Sequence, residues 1–200
     1  MSLLSVVQAL SKNVGMPVPT SVYGSSDRRW VEALEYANEA GEELARRVDW
    51  SALASDTTLT GTGADVAHSL PADFDRLQRG ITVWSASTGA VRPLTRHEWN
   101  SLTAVQGNPR YFLLENDTIR LWPYLASAAT VKVYYQSKNW AGANAEYMSD
   151  DAEADFDENL LTMGLIVRWR RQKGMPYQDF EAEYEAALQD YAGFDRRARY

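Results

Sequence analysis

The residues able to do chemistry are few in this sequence. His68 and His97 are the only imidazoles, they lie 29 positions apart, and the chain has no cysteine. Zinc sites need closely spaced imidazole or thiolate ligands, and the HExxH motif, the GxSxG elbow and the Walker-A loop are all missing from the sequence. We therefore expect no catalytic residues, no metal site and no cofactor.

Residues 146–158 form an acidic segment without a single base. Its carboxylates belong to Glu146, Asp150, Asp151, Glu153, Asp155, Asp157 and Glu158. Clustered carboxylates can bind calcium or work as an acid–base pair, but the ligand spacing and turn glycine of a calcium loop are absent. The favoured interpretation is a solvated loop whose charge complements a helix N-terminus. A surface that repels DNA phosphates is a second one.

Composition places the 200 residues among ordinary globular proteins, with 45% hydrophobic and 24% charged residues. The net charge of −7 argues against nonspecific binding of nucleic acid by the whole surface. Seven tryptophans and eleven tyrosines leave carbohydrate binding open, because exposed rings stack on sugars. No apolar run approaches the length of a membrane-spanning helix.

Helical periodicity marks the first part of the chain. Apolar residues in the range 3–10 predict a short helix that ends near Gly15. A second helix is predicted over residues 27–48, with Ser26 or Asp27 as its N-cap. Its face rich in Glu and Arg is interpreted as a solvated surface.

The period changes to two between residues 57 and 137, which predicts short strands. Residues 81–84, 111–114, 119–122 and 130–136 are the candidates, and residues 115–118 are predicted to form a tight hairpin turn. The loop-rich pattern favours a small antiparallel sandwich or barrel.

An αα-hairpin is predicted near the C-terminus. The first helix is expected to begin at a capping pair of Asp155 and Glu158 and to end at Lys173 and Gly174. The second helix is expected over residues 177–191, and the aperiodic residues 194–200 are expected to be extended or mobile. The basic run at residues 168–173 is interpreted as complementing the helix dipole, with nucleic-acid binding as the alternative.

These elements predict an α+β fold in which N- and C-terminal helices pack as a bundle beside a small antiparallel β sandwich or barrel. The expected divisions are N-terminal helices over residues 1–56, a β module over 57–138, a C-terminal α-hairpin over 139–193 and a tail over 194–200.

Several segments together resemble the head–tail adaptor (connector) proteins of tailed bacteriophages. They are Arg-Val-Asp-Trp-Ser-Ala-Leu at residues 47–53, Ser-Leu-Pro-Ala-Asp-Phe-Asp-Arg-Leu at 69–77, Ile-Arg-Leu-Trp-Pro-Tyr at 119–124, Val-Lys-Val-Tyr-Tyr-Gln-Ser-Lys at 131–138 and Arg-Trp-Arg-Arg-Gln-Lys-Gly at 168–174. The resemblance rests on their order and spacing, and it covers about residues 27–190.

The resemblance implies a structural protein, not an enzyme, that joins other copies in a ring of twelve beneath the portal of the capsid. Such a ring extends the channel through which double-stranded DNA passes without specific binding, and it presents a surface to the next neck or tail protein. The expected location is the neck of the virion, after synthesis in the host cytoplasm and without a membrane partner.

In similar adaptors the C-terminal segment inserts into the portal. The resemblance thus implies portal binding by Phe194, Arg196, Arg197, Arg199 and Tyr200. A DNA channel also needs walls that do not adhere to phosphate, so Asp150, Asp151 and Glu153 are expected to face the channel.

Two other functions stay open on the sequence alone. A carbohydrate-binding module would expose several aromatic rings on one concave sheet. A hydrolase would need two carboxylates with separated pKa values in one pocket.

Overall fold

The α+β class is confirmed by a computed structural model, which describes residues 2–64, 67–80 and 82–197, without the side chains of Arg196 and Arg197. The helices are α1 (Leu3–Val14), α2 (Arg28–Arg47), α3 (Arg96–Asn100), α4 (Glu158–Gln172) and α5 (Gln178–Arg197). The strands are β1 (Ala54–Thr60), β2 (Ala67–Ser69), β3 (Phe74–Leu77), β4 (Val83–Ser85), β5 (Gly89–Ala90), β6 (Arg92–Pro93), β7 (Tyr111–Glu115), β8 (Thr118–Trp122) and β9 (Thr130–Ser137).

The chain divides into two compact units. Residues 1–53 and 138–200 form the first, here called the helical unit, and residues 54–137 form the second, called the β unit. The β unit is thus an insertion between α2 and α4. Because the chain both enters and leaves through the helical unit, that unit is built from segments far apart in sequence.

Local sequence signals set the ends of the helices. Gly15 ends α1 in the left-handed region at φ 72°, and Asp27 caps α2 by accepting a hydrogen bond from the Arg29 amide. The expected N-cap of α4, Asp155, was wrong by two residues: Asp157 is the N-cap and accepts from the amides of residues 159 and 160. The backbone of Asp155 instead donates to the Trp140 carbonyl at 2.8 Å, which holds that residue in the preceding loop.

One apolar core holds α1, α2, α4 and α5 together in the helical unit. Helix α2 presents small residues to it, which lets neighbouring backbones and rings approach closely. The ring of Trp140 lies directly over Gly41, where an added Cβ would sit 2.3 Å from ring carbons. Trp140 also stacks on Phe156 at 5.7 Å and meets Tyr147 edge-on at 5.1 Å between ring centroids.

The charged face of α2 was expected to be a solvated surface, but several of its residues form ion pairs with other parts of the helical unit. Arg168 of α4 donates to Glu39 at 2.8 Å and also binds Glu43, and Lys173 binds Glu32. These pairs join helices that are distant in sequence, which local periodicity could not reveal. Exposed pairs of this kind contribute about 0–1 kcal/mol each, so they orient helices that the apolar core already holds.

Two sheets form the β unit. One has the order β1-β9-β4-β5, with β3 also paired to β9, and the other has the order β2-β8-β7-β6. All pairs are antiparallel except β6 with β7, which are parallel. That one pair departs from the expected purely antiparallel module, because β6 and β7 are separated by the segment that contains α3.

Alternating side chains of both sheets fill a single apolar cluster, as in a sandwich. Val131 and Val133 of β9 are buried, and Ile119 and Leu121 of β8 belong to the same cluster. The predicted hairpin turn is confirmed between β7 and β8, where Asn116 takes φ 48°.

Replacement of Gly41 tests the close approach of Trp140. We expect Gly41→Ala to destabilise the protein by at least about 1 kcal/mol, because overpacking against a ring that is 1% exposed outweighs the gain in helix propensity. Urea unfolding of the purified chain measures this change.

Gly193→Ala is the matched control, since Gly193 lies in α5 and an added Cβ there would meet nothing within 4 Å. We expect that variant to be unchanged or stabilised by up to about 1 kcal/mol. Equal stability of the two variants would contradict the packing argument.

Candidate functional site

The two histidines lie in different surroundings. His68 belongs to β2 and His97 to the short helix α3, where His97 is exposed. In the part of the chain that the structure describes, no group of three His, Asp or Glu side chains could hold a metal ion.

The end of α5 carries the first set of expected site residues. The expectation of an extended segment from residue 194 was wrong for residues 194–197, because α5 continues through Arg197. Asp195 explains the extension: its carboxylate accepts from the Ser51 amide at 3.0 and 3.1 Å and from the Ser51 hydroxyl. This contact ties the last turn of α5 to the segment that follows α2.

Phe194, the residue before Asp195, is 67% exposed, more than any other large apolar side chain described. Burying a side chain of this size stabilises a protein by about 1.5–3 kcal/mol, and the exposed Phe194 ring does not provide this stabilisation in the single chain. Arg196 and Arg197 follow within the helix, whereas Arg199 and Tyr200 lie outside the described residues.

A second tie holds α5 further along its length. The guanidinium of Arg47 forms a two-pronged pair with Glu185 at 2.6 and 2.7 Å, and hydrogen bonding to that carboxylate raises the pKa of Arg47. Arg47 also lies 5.9 Å from the ring centroid of Tyr184, whose pKa burial raises to about 12. The C-terminal part of α5, which carries Phe194, is therefore held by α2 through Arg47 and by the segment after α2 through Ser51.

The basic run of α4 is likewise used inside the helical unit. Arg170 binds the Asn13 side chain and lies 3.9 Å from the ring centroid of Phe180, and Arg171 pairs with Glu181. These contacts, together with those of Arg168 and Lys173, favour a structural role over nucleic-acid binding.

Asp150 organises the loop between α1 and α2. Its carboxylate accepts from the Ser21 hydroxyl at 2.6 Å and from the amides of Val22 and Tyr23 at 2.9 and 2.8 Å. Burial alone would raise the pKa of Asp150, but these hydrogen bonds outweigh it and hold the pKa below its usual range. Asp150 therefore has a structural role in this loop in addition to carrying a negative charge.

The other acidic residues of the 146–158 segment divide into two groups. Asp151 and Glu153 are exposed, as the expected channel-facing role requires. Asp157 caps α4, and Glu158 is 8% exposed with its carboxylate accepting from Ser5 at 2.7 Å. Burial raises the pKa of Glu158. Sequence reasoning missed this division, although an acid pair directly before an apolar run indicates a helix start.

Most tryptophans serve the core. Four of the seven are buried in the helical unit: Trp30, Trp50, Trp140 and Trp169. In the β unit, Trp84 is 41% exposed on one sheet, whereas Trp122 lies on the other sheet beside Tyr111. The exposed Trp84 therefore lies on a different sheet from the Tyr111–Trp122 pair.

The α+β fold thus has three distinctive surface features: an anchored helix end, an ordered loop and an exposed acidic stretch. In the described residues, no helix is long and apolar enough to span a membrane. The family model of the SU10 adaptor protein matches residues 1–200. The chain belongs to this adaptor family, a class of structural phage proteins rather than of enzymes. A search of curated proteins gives no match.

Replacement of Asp150 tests its hold on the loop. We expect Asp150→Asn to speed hydrogen exchange of the Val22 and Tyr23 amides by about tenfold or more, because bonds to a charged acceptor are stronger than those to an amide. Since the carboxyl pKa is lowered in the folded chain, its stabilisation is present above the usual carboxyl pKa and is lost as the pH falls through the lowered value.

Asp151→Asn is the control, because Asp151 is exposed and adjacent in sequence. Its effect on the same two amides should be small. Similar exchange rates in both variants would show that the loop does not depend on the Asp150 carboxylate.

Proposed function

We propose that this adaptor forms a ring of twelve copies beneath the portal, extends the DNA channel and presents a surface to the next neck or tail protein. The observation that carries the proposal is the match to the adaptor family over the whole chain. A closed ring repeats one interface between different faces of the same chain, so modest contacts per copy add up to a stable assembly.

The end of α5 is the proposed portal contact. Phe194 supplies an exposed apolar ring there and Arg196 and Arg197 supply cations, and the sequence adds Arg199 and Tyr200 after the helix. Aromatic and arginine side chains are enriched among the residues that dominate interface energies. The ties to Ser51 and Arg47 support this role, because a fixed helix loses little conformational entropy when its end is bound.

The exposed part of the acidic segment is the proposed channel wall. Asp151 and Glu153 are exposed, and Asp150 adds its charge beside them while it holds the loop. Carboxylates repel the phosphates of a passing duplex, which keeps DNA from adhering to the wall. The segment has no base to offset that repulsion.

Cryo-electron microscopy of the phage particle tests the placement. We expect density for this chain as a ring between the portal and the tail, with residues 150–153 facing the channel and the end of α5 facing the portal. Absence of the chain from the neck would refute the adaptor ring. A ring with residues 150–153 on its outer surface would refute the channel role alone.

Replacement of Phe194 tests the portal contact more sharply than deletion of residues 194–200, because deletion also removes the Asp195 anchor. We expect Phe194→Asp to weaken attachment to purified portal by about tenfold or more, since the apolar contact is lost. Pull-down or biolayer interferometry measures the attachment.

Val31→Asp is the matched control, since Val31 is 50% exposed on a helix of the same unit. It should attach like the unmodified chain. Unchanged attachment of the Phe194 variant would contradict the proposed contact.

A further inference from the structure

A small cleft in the β unit holds two arginines side by side. The Arg92 amide donates to the Arg110 carbonyl at 2.9 Å, next to the parallel pairing of β6 with β7. The cleft has a volume of about 500 Å³ and is lined by Ser87, Thr88, Ala90, Arg92, Arg110 and Tyr111. Hydroxyls and guanidinium groups together suit a carboxylate or phosphate ligand.

Both cations of the cleft are uncompensated. Arg92 and Arg110 are exposed, and neither takes part in an ion pair within the described residues. Other cations of the β unit contrast with them: Lys132 pairs with Asp56, and Arg96 and Arg120 both pair with Glu115. Two adjacent positive charges with no counterion mark a surface that favours an acidic partner.

Helix α5 carries a stripe of acidic residues, whose charge is opposite to that of the cleft. Asp179, Glu183 and Asp190 are exposed, and no ion pair within the described residues involves them. Their spacing of four and seven residues places them on one face of the helix. The neighbouring acids differ, because Glu181 pairs with Arg171 and Glu185 pairs with Arg47.

The spacing of the two sets also agrees. Residues four apart on a helix are separated by about 6 Å along its axis. Backbones that are hydrogen-bonded across neighbouring strands lie about 5 Å apart, as in the case of Arg92 and Arg110. The backbone spacing of Asp179 and Glu183 is therefore close to that of Arg92 and Arg110.

We propose that the Arg92–Arg110 cleft of one copy binds the α5 stripe of the next copy. This inference rests on the proposed ring, and it names the contact that joins its subunits. The two surfaces lie on different units of the chain, so their pairing is heterologous and generates a ring or an open chain of copies.

A second copy fits the cleft better than DNA does. Two cations release few counterions, so they give only weak binding to a duplex. We choose the α5 stripe over the acidic 146–158 segment because Asp150, Asp157 and Glu158 there already bind groups of their own unit, and the exposed Asp151 and Glu153 are assigned to the proposed channel wall.

Charge reversal on each surface tests the contact. The cleft variant is Arg92→Glu with Arg110→Glu, and the stripe variant is Asp179→Lys with Glu183→Lys. Sedimentation velocity of the full chain, at concentrations up to about 1 mM, measures self-association. We expect each variant alone to associate at least about tenfold more weakly than the unmodified chain, because like charges then face each other.

The decisive sample is the equimolar mixture of the two variants. Each cleft then meets a stripe of opposite charge, so association should return, and a chain that carries all four changes should also associate. Arg28→Glu with Arg46→Glu is the control for the cleft variant, and Glu35→Lys with Glu42→Lys is the control for the stripe variant. These exposed α2 positions lie outside both surfaces and should leave association unchanged.

Several outcomes would overturn the proposal. They are an unmodified chain that stays monomeric throughout, variants that associate normally, and a mixture that does not recover. A cleft variant that only loses binding to a labelled duplex would show a nucleic-acid surface instead. Attachment of the unmodified chain to portal, with an unchanged copy number for both variants, would refute this contact while leaving the proposed function intact.

Discussion

A stack of three aromatic rings closes the helical unit where the chain leaves it and returns. Trp50 lies just before β1, Trp140 lies just after β9, and Phe156 packs against both, at 6.0 and 5.7 Å between ring centroids. The Trp50 indole also donates to the Leu44 carbonyl at 2.7 Å, which fixes it to the end of α2. The stack therefore adds to the apolar core at the place where the two chain segments of the helical unit meet.

The stack also explains why α2 is rich in small residues. A ring as large as that of Trp140 can cover α2 only where no side chain intervenes, which is the position of Gly41. Full burial of such rings stabilises the unit by several kcal/mol in total, whereas each exposed ion pair contributes about 1 kcal/mol or less. Packing therefore decides that the helices associate, and the pairs of Arg47 and Arg168 decide their orientation.

Local signals in the sequence were sufficient to predict much of this fold. Periodicity located α2 and β9, and the Asn116 turn located the hairpin, because each depends on residues within one or two turns of chain. The cap of α4 and the helical end of α5 were not predictable in the same way. Both depend on a partner distant in sequence: Trp140 holds the backbone of Asp155, and Ser51 holds Asp195.

The net charge of the whole chain conceals a division between its units. The β unit has seven basic and seven acidic residues, whereas the helical unit has 13 basic and 20 acidic residues. All of the formal charge of −7 therefore belongs to the helical unit. Because electrostatic effects are screened beyond about 10 Å, repulsion of nucleic acid by that unit does not extend automatically to the β unit. The behaviour of each surface must be argued from its own uncompensated side chains, as for Asp151 in one unit and Arg92 in the other.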